Sequence, residues 1–361
     1  MTADLETSAR ARPAAKEVVR YVIGMAIGVI VLVVLVGKRG ELAAALHQFR
    51  HASYPWVLAA IGAEGLSLLG YAWLQRRVLG LSGGRVTMAD LFLLTMANDA
   101  IANTVPGEPA VSSAYRYRYY RRRGVSGASA GWTVFTILIA QAMGMSVLLL
   151  LGVLIALASA TTASAAGAAV LGFVIVVAAA AVLVRRDLVL RMIAALVRGV
   201  RRVTGHPKGA AGERIESTLA RMREIPLSTR STVGIVAVAA AVWFGDFGCL
   251  LCGFGAVRAP VPWGGVLLAY GAAQVDGSLP VVPGGLGVVE GSLAVILMAY
   301  GADRVAAVSA ALAFRLVSFW LAIALGWGCV GLIARQLRRS GPAGRTGPDI
   351  PESGLEQTAE V

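Results

Sequence analysis

Long runs of apolar residues, separated by segments rich in arginine, constrain the fold of this chain more than any other feature of its sequence. Hydrophobic residues make up 57% of the 361 residues, and the mean hydropathy is +0.72. About 20 consecutive apolar residues let an α-helix cross a bilayer, where backbone amides must be paired within their own segment. The sequence therefore predicts an all-α polytopic membrane protein.

Six runs are long enough for a full span, and the charges between them predict the topology. The runs cover residues 18–37, 56–79, 128–158, 167–184, 232–257 and 305–334. Arginines are concentrated beside these runs and in the segment 185–230, as is typical of cytoplasmic loops. The positive-inside rule then places both termini in the cytoplasm, in a multi-pass protein of the plasma (inner) membrane. Topology accounts for the net charge of +13, so no nucleic-acid partner is expected.

One further apolar segment, 88–113, has both ends on the predicted cytoplasmic side. It is about long enough to cross once, but its centre carries Asn103, Pro106, Gly107 and Glu108, which are typical of a turn. The sequence therefore predicts a re-entrant segment that enters the membrane and turns back.

A second broken segment, 264–300, starts and ends on the predicted outer side. Its centre, from Pro280 to Gly291, reads Pro-Val-Val-Pro-Gly-Gly-Leu-Gly-Val-Val-Glu-Gly. Prolines remove backbone donors and glycines adopt conformations that other residues resist, so this backbone must be buried in protein or line a wet cavity. A deep hairpin and a pair of tilted full spans are both compatible with the length of the segment.

The order of these segments predicts two similar halves of opposite orientation. A cytoplasmic tail at 1–17 precedes the first membrane half, 18–158. The second membrane half, 167–334, includes the cytoplasmic basic loop 185–230, and a polar tail at 340–361 is predicted to be disordered. Paired broken segments in inverted halves are typical of a transporter binding site near the bilayer midplane. The alternative is a chance match in the order of the segments.

Ionisable residues within the apolar runs are the strongest candidates for functional groups, since each needs a partner or a hydrated cavity. They are Glu64, Asp90, Asp99, Glu108, Asp246, Asp276, Glu290 and Arg315. Arg315 keeps its charge, so it forms either an ion pair with Glu290 or a contact with a substrate phosphate. Glu290 follows the glycine-rich turn, where it either caps the restarting helix or pairs with a cationic group.

The candidate substrate-binding residues combine both broken segments with two arginines. They are Asn103, Pro106, Gly107, Glu108, Arg116, Asp276, Pro283, Gly284, Gly285, Gly287, Glu290 and Arg315. Arg116 lies in a run of tyrosines and arginines that is typical of a membrane interface and is alternatively an entry site for lipid headgroups. No nucleophile–base order, histidine cluster or phosphate-binding loop is present, so we expect no catalytic residues, metal or cofactor.

At these motifs the chain resembles the transmembrane region of the lysylphosphatidylglycerol synthetase and flippase family, which includes the flippase domain of the multiple peptide resistance factor. The resemblance is closest to stand-alone actinobacterial members. It is carried by residues 283–291, by the span with Arg315, Ser318 and Trp320, and by residues 103–108 continuing into 121–124. Many members have an arginine in the first motif, where this chain reads Pro-Gly-Glu-Pro-Ala.

The resemblance implies an inner-membrane flippase or scramblase for an anionic or aminoacylated phospholipid or a polyprenyl-phosphate conjugate. Synthetase activity is not expected, because no soluble aminoacyl-transferase domain follows the last span. Two alternatives stay open: an intramembrane enzyme acting on a lipid phosphate, and a non-transporting partner of a separately encoded glycosyltransferase or synthetase. Membrane lipids are the expected partners, and neither a homo-oligomer nor a separate lipid-modifying enzyme as partner is excluded.

Overall fold

Helices form the described part of the chain, which in the computed structural model comprises residues 53–105, 108–159, 228–277 and 283–339. No strand occurs within these ranges, which confirms the all-α prediction. The helices are α1 (Tyr54–Leu81), α2 (Met88–Thr104), α3 (Glu108–Arg122), α4 (Gly127–Ser159), α5 (Thr229–Ala256), α6 (Val266–Gly277), α7 (Val288–Ala299), α8 (Arg304–Arg315) and α9 (Ala322–Arg339). A 3₁₀ turn at Pro283–Gly285 precedes α7, and a π-helical segment at Leu316–Leu321 joins α8 to α9.

Four helices among the described residues are long and apolar enough to cross a membrane. They are α1, α4, α5 and the continuous helix from α8 to α9, and they match four of the predicted spans. The protein is therefore a multi-pass membrane protein. The predicted spans 18–37 and 167–184, most of the loop 185–230 and both predicted tails lie outside the described residues.

Helices α1 and α5 pack against each other in opposite directions at the centre of the molecule. The amide of Ser53, just before α1, donates to the carbonyl of Ala256 at the end of α5 at 2.9 Å. Halfway along, the Ser67 hydroxyl donates to the carbonyl of Val242, also at 2.9 Å. At the other end, the Arg77 guanidinium lies against Gly234 near the start of α5.

Each predicted broken segment is a pair of packed helices, with the break where the sequence places its prolines and glycines. Helix α2 ends at Val105, which is extended at φ −101° and ψ 126°, because the following proline disfavours helical backbone. In the second pair, Gly284, Gly285 and Gly287 all have positive φ between α6 and α7. This left-handed backbone reverses the chain at little cost only with glycine.

The first helix of each pair packs antiparallel against a long helix from the other part of the chain. Helix α2 crosses α9 at Gly326, where an added Cβ would clash with the carbonyl oxygen of Met96. Helix α6 crosses α4 at Gly152, where an added Cβ would lie 2.9 Å from the backbone nitrogen of Leu268. Glycine at these two positions lets the backbones approach closely, as small residues do between membrane helices.

The end of α2 contacts the 3₁₀ turn of the second break. A Cβ added to Gly284 would lie 2.7 Å from the carbonyl oxygen of Asn103. Asn103, on the α2 side of this contact, lines the cavity described next.

Candidate functional site

A cavity of about 720 Å³ lies between the two helix pairs and the long helices. Helices α1 to α6, α8 and the π-helical segment all contribute to its lining. Its charged and amide-bearing residues are Glu64, Asn98, Asp99, Asn103, Arg116, Gln141, Asp246, Gln274 and Arg315. Such a concentration of polar groups within apolar helices is costly unless a polar ligand or water occupies the cavity.

Arg315 is held on the α8 side of the cavity by three contacts. Its Nε donates to Glu290 Oε1 at 2.8 Å, and its second guanidinium nitrogen donates to the carbonyl of Gly284 at 2.7 Å. The guanidinium also lies over the ring of Phe319, 3.9 Å from its centroid. With only 8% of its side chain exposed, Arg315 is fixed in place at the turn that precedes α7.

Glu290 connects this arginine to the start of α7. Its Oε2 accepts a hydrogen bond from the amide of Gly287 at 2.7 Å, so it satisfies a backbone donor that the helix start leaves free. Both structural roles considered for Glu290, cap and partner of Arg315, are therefore present at once. Glu290 is not among the residues that line the cavity, and both of its carboxylate oxygens are already bonded. Its role is therefore to position Arg315.

Arg116 lines the cavity from α3. Its guanidinium donates to the Tyr71 hydroxyl and lies over the Tyr71 ring at 5.2 Å from the centroid. Nearby, Gln75 accepts from the Tyr120 hydroxyl and donates to Thr95, both at 2.6 Å, which ties α3 to α1 and α2. This buried network holds the helix that carries Arg116.

Four buried side-chain polar atoms have no protein partner in the described structure, and all four belong to residues that line the cavity. They are Glu64 Oε2, Asn98 Oδ1, Arg116 Nε and Gln141 Oε1. An unsatisfied buried polar group costs about 1–3 kcal/mol, and more when it is charged. An occupant of the cavity that forms hydrogen bonds with these atoms would offset this cost.

Three carboxyl groups, Glu64, Asp99 and Asp246, face the same cavity. Glu64 and Asp246 lie within hydrogen-bonding reach of each other. Asp246 Oδ2 also accepts from the Tyr270 hydroxyl and from Gln274 Nε2, the latter at 2.9 Å. Among the described residues, no three or more histidine, cysteine, aspartate or glutamate side chains lie together in a way that could hold a metal ion.

The structure brings together some of the residues singled out from the sequence. Asn103, Arg116 and Arg315 line the cavity, and Glu290 lies directly behind Arg315. Gly284, Gly285 and Gly287 form the turn that meets the end of α2. Asp276 lies in the last turn of α6, outside the cavity lining. Pro106, Gly107 and the side chains of Glu108 and Pro283 lie outside the described part of the chain.

Several residues that line the cavity are not among the binding residues predicted from the sequence. Three of them, Glu64, Asp99 and Asp246, could have been included, because an ionisable residue within an apolar run indicates a functional position. The amides Asn98, Gln141 and Gln274 are uncharged, and their sequence context does not reveal which helix face meets a cavity.

A comparison with curated proteins found no match to this chain. A family model described as the lysylphosphatidylglycerol synthase TM region matches residues 21–326, so the chain belongs to this family, as its motifs led us to expect.

Proposed function

We propose that the protein is a lipid flippase or scramblase whose cavity binds the headgroup during transfer between leaflets. The observation that carries this proposal is the set of four unpartnered polar atoms around one cavity inside an apolar helix bundle. The volume of about 720 Å³ falls within the range of about 300–1,000 Å³ that is usual for small-molecule sites. Acyl chains can remain in the bilayer throughout, so only the headgroup needs a polar environment.

The charges in the cavity suit a headgroup with a phosphate. Arg116 and Arg315 both line the cavity with guanidinium groups, which bind phosphate oxygens well, and the Nε of Arg116 has no protein partner. The carboxyl groups of the same cavity suit the cationic part of an aminoacylated lipid. The substrate class is therefore an anionic or aminoacylated phospholipid or a polyprenyl-phosphate conjugate, in keeping with the lipid-related function that the family suggests.

The packing supports an inverted-repeat transporter with two re-entrant hairpins. Helices α1 and α5 are antiparallel, and α2 and α6 pack in the same antiparallel manner on α9 and α4. At 12 residues each, α6 and α7 are about 18 Å long, well short of the roughly 30 Å hydrocarbon core. A hairpin that ends near the midplane accounts for this length better than two full spans.

The arginines support a plasma-membrane protein with both termini in the cytoplasm. Arg77, Arg123 and Arg335 lie near the ends of α1, α3 and α9 that this topology places inside. A headgroup leaving the inner leaflet would then meet this basic side of the protein first.

Reconstitution into vesicles with fluorescently labelled phospholipids of several headgroups tests the proposal. We expect transfer between leaflets to be faster than in protein-free vesicles, and to fall when Arg116 is replaced by Met. Arg304→Met, at the exposed start of α8 and outside the cavity lining, is the matched control and should leave the rate unchanged. Equal rates with and without protein for every headgroup would overturn the proposal.

Mass spectrometry of the lipids after the same incubation separates transport from chemistry. A flippase leaves the covalent structure of every lipid unchanged, whereas an intramembrane enzyme acting on a lipid phosphate does not.

A further inference from the structure

We propose that Glu64 and Asp246 form a proton-binding site that couples movement of the headgroup to movement of a proton in the opposite direction. This inference rests on the proposed function and adds its source of energy. It is argued from the position of the two carboxyl groups, from their hydrogen-bond partners and from the cavity they share.

The two carboxyl groups lie near the middle of the membrane. Each is about ten residues, or ~15 Å along the helix, from the end of α1 or α5 at which Ser53 and Ala256 meet. That is about half of the ~30 Å hydrocarbon thickness. A site halfway across can be reached from one side or the other as the protein changes conformation, which a coupling site requires.

The hydrogen bonds around the pair leave a place for one proton. Asp246 Oδ2 accepts from the Tyr270 hydroxyl and the Gln274 amide, whereas Glu64 Oε2 is buried and has no donor. A carboxylate is only an acceptor, so two neighbouring carboxyl groups can bond to each other only when one of them carries a proton. Like charges so close together in a site of low dielectric oppose ionisation of both groups.

The charged neighbours do not remove the need for this proton. Asp99 on α2 adds a third negative group, and Tyr270 on α6 and Cys249 on α5 supply no positive charge. Arg315 on α8 is the cation that faces Asp246, but its guanidinium is engaged by Glu290 and Gly284. Among the described residues, no three or more histidine, cysteine, aspartate or glutamate side chains are grouped as metal ligands, and we assign a proton to the pair.

The cavity lets the proton exchange with a ligand. Asn98, which is 3% exposed, lines the same cavity and has an unpartnered Oδ1, so polar molecules have a reason to occupy it. When the ammonium group of a lipid reaches the carboxyl pair, the pair binds it best with both carboxyls ionised and releases its proton to water. When the lipid leaves, the pair takes up a proton again. Linkage makes this effect reciprocal, so a proton gradient drives the lipid.

The experiment uses the full chain in vesicles with the membrane voltage clamped at zero and a difference of about one pH unit between the two sides. The probe is phosphatidylethanolamine with a fluorescent acyl chain, which carries a free amine. With one proton exchanged per lipid, the probe should accumulate about tenfold in the leaflet that faces the acidic side, since one pH unit corresponds to a tenfold ratio. Without a gradient, the probe should distribute evenly.

Two variants test the residues themselves. Glu64→Gln and Asp246→Asn retain shape and hydrogen bonding but lose the exchangeable proton, so the probe should move more slowly than with the wild type and should no longer accumulate when the gradient is applied. Asp90→Asn is the matched control, because Asp90 lies at the start of α2, away from the cavity, and should retain the response. A second measurement needs no variant: adding the same lipid to the wild-type protein in weakly buffered detergent should release protons.

The outcomes separate this inference from the proposed function. If the wild-type protein moves the probe but the gradient produces no accumulation, proton coupling is wrong and the flippase proposal stands. If both variants accumulate the probe as the wild type does, the proton is bound elsewhere and the assignment to this pair is wrong. If no lipid moves under any condition, the proposed function itself fails.

Discussion

The two helical hairpins share one packing scheme but differ in how their polar groups are satisfied. Helix α2 crosses the last span at Gly326, and α6 crosses α4 at Gly152. A residue that lines the cavity lies eleven positions before each glycine: Arg315 before Gly326, and Gln141 before Gly152. Arg315 is bonded to Glu290 and to a backbone carbonyl, whereas Gln141 Oε1 has no partner.

This difference extends to the whole cavity. All four unpartnered polar atoms belong to residues between 53 and 159, on α1 to α4. Residues 228–339 contribute Asp246, Gln274 and Arg315 to the cavity, and each of these has protein partners. We infer that the later part of the chain holds a fixed framework, while the earlier part presents the groups that a ligand satisfies.

The largest effect is expected from Arg315→Ala, which breaks the framework. Removing one partner of a fully buried ion pair typically costs about 3–5 kcal/mol, and because the Glu290 side chain is 20% exposed we expect a loss at the lower end of that range. Thermal unfolding in detergent should show this loss, whereas the exposed Arg335→Ala should change stability by less than about 0.5 kcal/mol. Equal unfolding temperatures for the two variants would mean that the Glu290–Arg315 pair does not hold the second hairpin.

The glycine crossings should give the next largest effect, and they compare the two hairpins directly. An alanine at position 326 would clash with the Met96 carbonyl, and one at 152 would meet the Leu268 backbone. Overpacking of this kind usually costs about 1–3 kcal/mol. Gly328→Ala is the control, since nothing lies within 4 Å of its added Cβ. The comparison fails if all three alanine variants unfold at the same temperature.

A smaller effect is expected at the start of the first hairpin. Arg123 pairs with Asp90 at 2.5 Å, but the two side chains are 32% and 16% exposed. Exposed pairs contribute about 0–1 kcal/mol, and salt screens them. Asp90→Asn should therefore lower stability slightly at low salt and hardly at all at high salt. A loss as large as that of Arg315→Ala would show that both hairpins depend on an ion pair.

The smallest effect on stability is expected from Gln141→Leu, which has a different consequence for function. Its side-chain oxygen has no protein partner, so an apolar replacement removes no hydrogen bond made by that oxygen within the protein. Lipid transfer should fall about fivefold, which corresponds to one lost hydrogen bond of about 1 kcal/mol to the headgroup. Unchanged transfer rates would place the bound headgroup away from α4.

The local breaks in this fold are predictable from the sequence, whereas the composition of the cavity is not. Pro106 and the glycines after Pro283 act on their own backbone, so the ends of α2 and the start of α7 can be inferred from nearby residues. The meeting of Glu64 with Asp246 depends on the antiparallel register of α1 and α5, helices that are far apart in sequence. No local pattern encodes that register.

The Glu290–Arg315 ion pair is predictable from the sequence only in part. Two roles for Arg315 are compatible with the sequence, a static pair with Glu290 or a contact with phosphate. The structure shows the pair, and Arg315 also lines the cavity. A residue that is buried, paired and still beside a ligand site combines both roles, and charge patterns alone do not indicate this.

The π-helical segment at Leu316–Leu321 has a consequence for movement. A π-helical turn holds a surplus residue, and such bulges frequently occur at functional sites. If the bulge migrated along the helix by one residue, the side chains it passed would rotate by about 100°, the angle between successive residues of an α-helix. Phe319 would then turn away from Gly284 and Arg315, and Ser318 would leave the cavity wall. The surplus residue of the π-helical segment would therefore let the last span release the turn at Pro283–Gly285 without unwinding the helix.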